Sequence, residues 1–407
     1  MGRMYFRTSL GRELAYLVPF AKNVHGVVID AHILELYSNA VGSFLFTSKL
    51  NYFLDPVFYK FCKPFFQDVS GKRWVEPLSK AYGFDIGSLG AEGFTQSGLQ
   101  EKGRTASVAR GVLNYQRTRM PSTSPKMLEL AALLDDRLDG IRLPEFLVSP
   151  YIIIENSETL EINTKLLKDS ISALNPGEKL YAVLAITRDY LQDQTRRSEL
   201  LSVYSPSKVA GFLIWMIDFK EWFEDKDLFT QLSEFIAELK SRSRGKEVIN
   251  LFGGFYSSQL CGRGAIDGSV QGIGISESRD PYYVGGGGVP RYYVPISHQS
   301  VGLELADDLR ANDSSLFSCN CNFCKGFSSV RRMTAEALAK HFVSRRLDEF
   351  DESIKKPASQ LFGGLRADAV RVRAVRGTVS PTTSAHSKRL EVWSSALETE
   401  VNAGRLT

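Results

Sequence analysis

The sequence predicts an α/β fold, and within it a (β/α)8 TIM-like barrel, on three observations. Short apolar runs alternate with amphipathic helical patterns from about residue 145 onward. Eight such strand candidates can be counted along the chain. The chain has 407 residues, 43% hydrophobic and 24% charged, which is a globular composition long enough to close one large barrel. A doubly wound parallel sheet is the alternative that the same alternation allows.

In chain order the strand candidates are residues 14–20, 27–30, 146–154, 180–186, 209–218, 248–254, 270–276 and 292–296. Helices are predicted at 157–174, 189–201 and 225–239, where apolar residues recur with a period near 3.6. Strands alternating with helices imply βαβ units and a parallel sheet. The stretch 51–143 lacks this regularity and is predicted as an irregular insertion in a barrel domain of residues 1–318. A subdomain of residues 319–355 follows. Residues 356–407 carry Arg366, Arg371, Arg373 and Arg376 and then a Ser/Thr-rich run at 378–387. They are predicted as a partly ordered basic tail.

The N-terminus carries Arg3, Arg7, Arg12 and Glu13, so no apolar core of a signal peptide follows it. The longest apolar run, 209–217, is too short to span a bilayer. The expectation is a cytoplasmic protein without a membrane partner, whose cysteines stay reduced. Cys62 and Cys261 are isolated and read as buried small hydrophobes. The other three form Cys319-Asn-Cys321-Asn-Phe-Cys324. Thiolates at this spacing wrap a tetrahedral Zn2+ from one side and need a fourth ligand. His341 is the predicted donor, on a helix starting after Thr334 as N-cap, with Ala337, Leu338 and Phe342 on the same face. Four ligands leave no open position, so the zinc is predicted to be structural. Arg331, Arg332, Arg345 and Arg346 lie nearby in sequence and predict a basic surface braced by the metal.

Chemistry in a (β/α)8 barrel sits at the C-terminal ends of the strands. Asp30, Asp218 and the pair Gly253-Gly254 end apolar runs, and Glu277 follows another. An acid at such a place either caps the next helix or faces the pocket; several in succession predict a carboxylate-lined pocket. Glycines there let a ligand approach the backbone. Net charge is +4. Lys102, Arg104, Arg110, Arg117 and Arg119, with Tyr115 among them, form either a phosphate-binding stretch or a solvated helix face. Gly285 to Gly288 predict a mobile loop, and no Gly-Lys-Ser/Thr makes it a phosphate loop.

Four segments in order resemble the tRNA-guanine transglycosylases. They are Phe252-Gly253-Gly254-Phe255-Tyr256, the run from Asp267 through Gly272 and Gly274 to Glu277, Arg291-Tyr292-Tyr293, and the three-cysteine cluster. The resemblance spans roughly residues 205 to 341. It implies a (β/α)8 barrel with a zinc site and exchange of guanine in nucleic acid for a 7-deazaguanine base. It implies that Asp218 reads the base edge, that backbone around Gly272 to Gly274 meets the base carbonyl, and that an acid forms a covalent glycosyl intermediate. The target nucleotide would leave its stack first. The chain departs from the family pattern in several places, among them a shorter gap between the cysteines and His341. Ser318, ending a predicted strand at 314–318, stands where the nucleophilic Asp is expected. Phe252 replaces a base-reading Gln, and Ile29-Asp30-Ala31-His32 replaces Asp-Ser-Gly-Gly. The carboxylate chemistry then falls to Asp30 or Asp218, and the substrate is DNA or tRNA. Two other readings fit the same residues. One is an inactive nucleic-acid-binding subunit, working as a homodimer or beside a partner subunit. The other is a nucleoside N-glycosidase.

Overall fold

The computed structural model describes residues 2–8, 11, 13–120, 143–273, 279–281 and 289–406. Eight parallel strands form a nearly closed barrel with flanking helices, a (β/α)8 fold. They are β1 (Arg3–Thr8), β2 (Gly26–Asp30), β3 (Asn51–Asp55), β4 (Leu147–Val148), β5 (Leu180–Ile186), β6 (Gly211–Met216), β7 (Glu247–Gly253) and β8 (Gly268–Gly272). Their order in the sheet is β3-β2-β1-β8-β7-β6-β5-β4. The two edges approach each other where the Glu145 N–H donates to the Tyr52 carbonyl at 2.8 Å. Each inner strand is covered on both faces, which is why β5 reads Leu-Tyr-Ala-Val-Leu-Ala-Ile and is buried throughout.

Two of the helices between strands start where side chains satisfy their free N–H groups. Asp225 accepts from Leu228 N at the head of Lys226–Arg242. Asn156 and Thr159 cap each other at the head of Ser157–Ser172.

Two of the eight expected strands are not barrel strands. Residues 14–20 form a helix (Glu13–Leu17) and a 3-10 turn (Val18–Phe20). Leu14, Leu17 and Phe20 are all buried, three apart, so the period is helical. Pro19 would also have removed a ladder donor. Residues 291–294 form β9 (Arg291–Val294), which pairs antiparallel with β10 (Gln299–Gly302) in a separate two-stranded sheet. Their places in the barrel are taken by β1 and β3. The latter lies inside the stretch expected as an irregular insertion, which also holds the helix Arg104–Thr118. The expected strand at 314–318 is a one-turn helix, Ser314–Phe317, whose N-terminus is capped by the Asp313 carboxylate accepting from Leu316 N at 3.1 Å.

A second, smaller core lies under the cysteines. It unites Tyr292, Val294, Val301, Leu309, Phe317 and Leu338 with Val375 and Val379. The expected tail from 356 is instead two packed helices, Ala358–Arg373 and Ser380–Asn402. Trp393 of the second is buried against Trp222 and Phe255. Its inward face also carries Thr383, Ser387, Ser394 and Glu400, and these polar residues hide the helical period in the sequence. Among the described residues no helix is long and apolar enough to cross a membrane.

Candidate functional site

At the C-terminal mouth of the barrel, β1, β2 and β3 end in Arg7-Thr8, Asp30 and Asp55. Arg7 alternates with Tyr5 on the inward face, so its guanidinium rises inside the barrel. Its Nη1 donates to Asp30 and to Asp55, the latter at 2.9 Å. All three side chains are 1% exposed, so this is an ion cluster out of contact with solvent. Asp55 also accepts from the Tyr151 hydroxyl at 2.9 Å and from Val57 N–H at 3.0 Å. Arg279, from the segment after β8, donates to the other oxygen of Asp30. Both guanidinium groups lie over Phe252, at 4.4 Å and 5.0 Å from its ring centroid. Trp215 of β6 packs against Phe252 and against Tyr59.

Burial alone would raise the Asp30 carboxyl, but Arg279 and Arg7 outweigh it and hold Asp30 well below the usual carboxylate range. Burial and then the charge of Lys60 push His32 well below its ordinary value, so its ring is neutral. Burial, with Arg279 next, lowers the Lys60 amine to about 8.

The residues expected at the pocket divide. Asp30 belongs to the ion cluster, but the carboxylate joined to it is Asp55, through Arg7. Asp218 is exposed in a left-handed turn after β6, with φ of 60°. Glu221 is one of two buried acids on that loop, the other being Glu224. Glu221 accepts from the N–H groups of Gly254, Tyr256 and Ser257 and so caps the helix Phe255–Gly262. The close approach at Gly253 is to the protein itself, because a Cβ there would lie 2.6 Å from Ser257 Cβ and 2.8 Å from Ser269 Oγ. Gly272 ends β8 beside Arg7. Gly274, Glu277 and the glycine run 285–288 lie outside the described residues. Ser318 is exposed in the smaller unit and ends no barrel strand.

Asp55, Arg7 and Arg279 were not singled out by the sequence reading. Asp55 carries the same signal as Asp30, an acid closing an apolar run (Tyr52-Phe53-Leu54-Asp55), inside a stretch whose overall pattern is irregular. Arg7 and Arg279 offered no local signal.

The basic stretch is largely paired. Arg104 meets Glu101, Arg117 meets Glu178, and Arg119 meets Glu35, which also accepts from the buried Tyr115 hydroxyl. The arginines near the cysteines are paired as well. Arg331 lies near Asp307, Arg345 pairs with Asp348, and Arg346 is fully buried on Glu349 and the Tyr293 ring. The basic surface expected there is therefore mostly neutralised; Arg332 stays exposed.

The second site is the cluster of Cys319, Cys321, Cys324 and His341, whose ligand atoms all lie within 4.8 Å of one another. Cys321 Sγ is 3.5 Å from Cys324 Sγ, and His341 Nδ1 is 3.4 Å and 3.3 Å from those two sulfurs. Sulfurs on a tetrahedral zinc with bonds of about 2.3 Å stand about 3.8 Å apart, so the spacing suits one ion. The His341 Nε2–H donates to the Tyr293 carbonyl at 2.7 Å, which leaves Nδ1 free to ligate. Tyr292 stacks on the imidazole at 4.5 Å and 4°. Thr334 caps the histidine's helix through Ala337 N, as its sequence predicts. These four residues could hold a metal ion.

The molecule is thus a (β/α)8 protein with a carboxylate–guanidinium cluster in its mouth and a three-cysteine, one-histidine cluster beside the barrel. Compared with family models, curated proteins and solved structures, the chain matches none.

Proposed function

We propose that this chain is a transglycosylase-type enzyme that exchanges guanine for a 7-deazaguanine base in DNA or tRNA. A structural zinc ion would be held by Cys319, Cys321, Cys324 and His341. The observation that carries the reading is the pair of carboxylates, Asp30 and Asp55, at adjacent strand ends where barrel chemistry occurs. Asp30, kept ionised by two guanidinium groups, suits a nucleophile. Its oxygen would bond to the sugar C1′ as the base leaves with the glycosidic electron pair and takes up a proton. The incoming base would reverse both steps and release a proton, so the exchange is proton-neutral. Asp218, exposed beyond β6, would accept hydrogen bonds from the base edge.

The test is incubation with radiolabelled guanine and either DNA or tRNA. Label entering one of them supports the reading, and its loss in Asp30→Asn places the chemistry. No incorporation into either by the zinc-loaded chain sinks it. One observation favours a second reading, an inactive nucleic-acid-binding subunit: a carboxylate held by two arginines must shed one before it can attack. Binding of tRNA or DNA without turnover would select that reading.

A further inference from the structure

We propose that the ion cluster in the barrel mouth is a receptor for one phosphate-type oxyanion, taken up by Arg7, Arg279 and Lys60 as part of a nucleotide. The first support is a surplus of donors. Arg7 Nε and Nη2, Arg279 Nη1 and Trp215 Nε1 are buried and have no hydrogen-bond partner. Arg7 is 1% exposed and Trp215 is fully buried, so water does not satisfy them as it would at a surface. A buried donor left unmade costs about 1–3 kcal/mol, more when charged, so those of the two arginines that share Asp30 call for an acceptor. The acceptor must serve several N–H groups at once. A tetrahedral oxyanion does so, and guanidinium forks match its geometry.

The second support is charge. Arg7, Arg279 and Lys60 face the two carboxylates Asp30 and Asp55, while His32 is neutral. One positive charge is left over in a buried place, and a single anionic group would balance it.

The third support is room for the remainder of a ligand. A cavity of about 540 Å³ meets the surroundings of the cluster at Tyr59, with Arg7, Arg279 and Lys60 outside its lining. Tyr59, whose hydroxyl feels the charge of Arg279, forms part of its wall. Phe65 and Phe94 give the cavity flat apolar sides, and Glu158 with Gln96 sits at one edge. Aromatic walls and a carboxylate suit a planar heterocycle that carries N–H donors. Anion and heterocycle together describe a nucleotide, and the site serves one whether or not the chain turns it over.

The experiment is calorimetric titration of the full chain with GMP, dGMP, guanosine and inorganic phosphate. Either nucleotide is expected to bind at least about tenfold more tightly than guanosine, with inorganic phosphate competing; the GMP and dGMP arms distinguish ribose from deoxyribose. Arg279→Met is expected to erase the nucleotide's advantage and leave guanosine affinity unchanged. Lys60→Met, at the half-buried rim, should reduce that advantage and serves if the first variant does not fold. Equal affinity for nucleotide and guanosine, an advantage that survives both substitutions, or no binding of any probe overturns the proposal. Nucleotide-selective binding without guanine exchange would keep the anion site and remove the transfer reading.

Discussion

The two ends of the barrel carry similar ion networks with different access to solvent. Strand β1 contributes to both, placing Arg3 at the floor and Arg7 in the mouth. At the floor, Arg3 pairs with Glu145 at 3.0 Å and Glu247 at 2.7 Å, and Tyr5 and His25 complete the shell around Glu145. This network stands where the barrel edges meet, because the Glu145 N–H bonds to β3. In the mouth, one guanidinium nitrogen serves two carboxylates while two others have no partner. Each network holds a buried guanidinium nitrogen without a hydrogen-bond partner, but only in the mouth does it belong to a side chain 1% exposed, where solvent does not reach.

The largest expected effect separates the two arginines. Arg7→Met leaves Asp30 and Asp55 buried without their shared cation, and should destabilise the chain by about 3–5 kcal/mol. Arg3→Met removes a pair within reach of solvent and should cost about 1 kcal/mol or less. Urea unfolding measures both, and equal losses would erase the distinction. Next comes the cysteine cluster. Cys321→Ser should lose the bound metal, read as one zinc per chain by elemental analysis in the parent. Unfolding of the smaller core around Tyr292 and Phe317 should then precede that of the barrel. Unchanged metal content and melting would contradict a metal role.

A pH titration sharpens the floor. Burial would raise Glu145, but hydrogen bonds from His25 and Tyr5 and the charge of Arg3 hold it below its ordinary 4.5. A carboxyl lowered on folding stabilises the protein above its unfolded value, and that contribution disappears as pH falls through the folded one. Glu145→Gln should therefore lower stability at neutral pH and flatten its fall below about pH 4.5. A parallel acid limb in the variant would refute this. The smallest effect is at Asp218. Its φ of 60° suits glycine, so Asp218→Gly should leave stability unchanged or raise it by about 0.5 kcal/mol. If Asp218 reads the base, the same variant should lose guanine exchange; full activity would free Asp218 of that role.

Much of this molecule was legible where local pattern and burial agree. The runs at 180–186, 209–218 and 248–254 became β5, β6 and β7 because a strand covered on both faces must be apolar along its length. The helix after Thr334 starts as its cap requires. The misread segments carry conflicting local signals. Residues 14–20 are apolar enough for a strand, yet they bury every third residue. Arg291-Tyr292-Tyr293-Val294 has strand character that it satisfies in a ribbon beside the barrel. The last helix was hidden because it buries serines, a threonine and a glutamate along with its tryptophan.

By itself, then, the sequence determined the alternation of strand and helix and the four members of the cysteine–histidine cluster. Each is written in spacings of a few residues, short enough for backbone geometry to dictate. Only the tertiary structure decided which acids share a site. Arg7, Asp30, Asp55 and Arg279 come from three neighbouring strands and a segment 249 residues beyond Asp30. They meet because β1 lies between β2 and β8 in the sheet. Asp218, equally prominent in the sequence, was turned out to solvent by a left-handed residue.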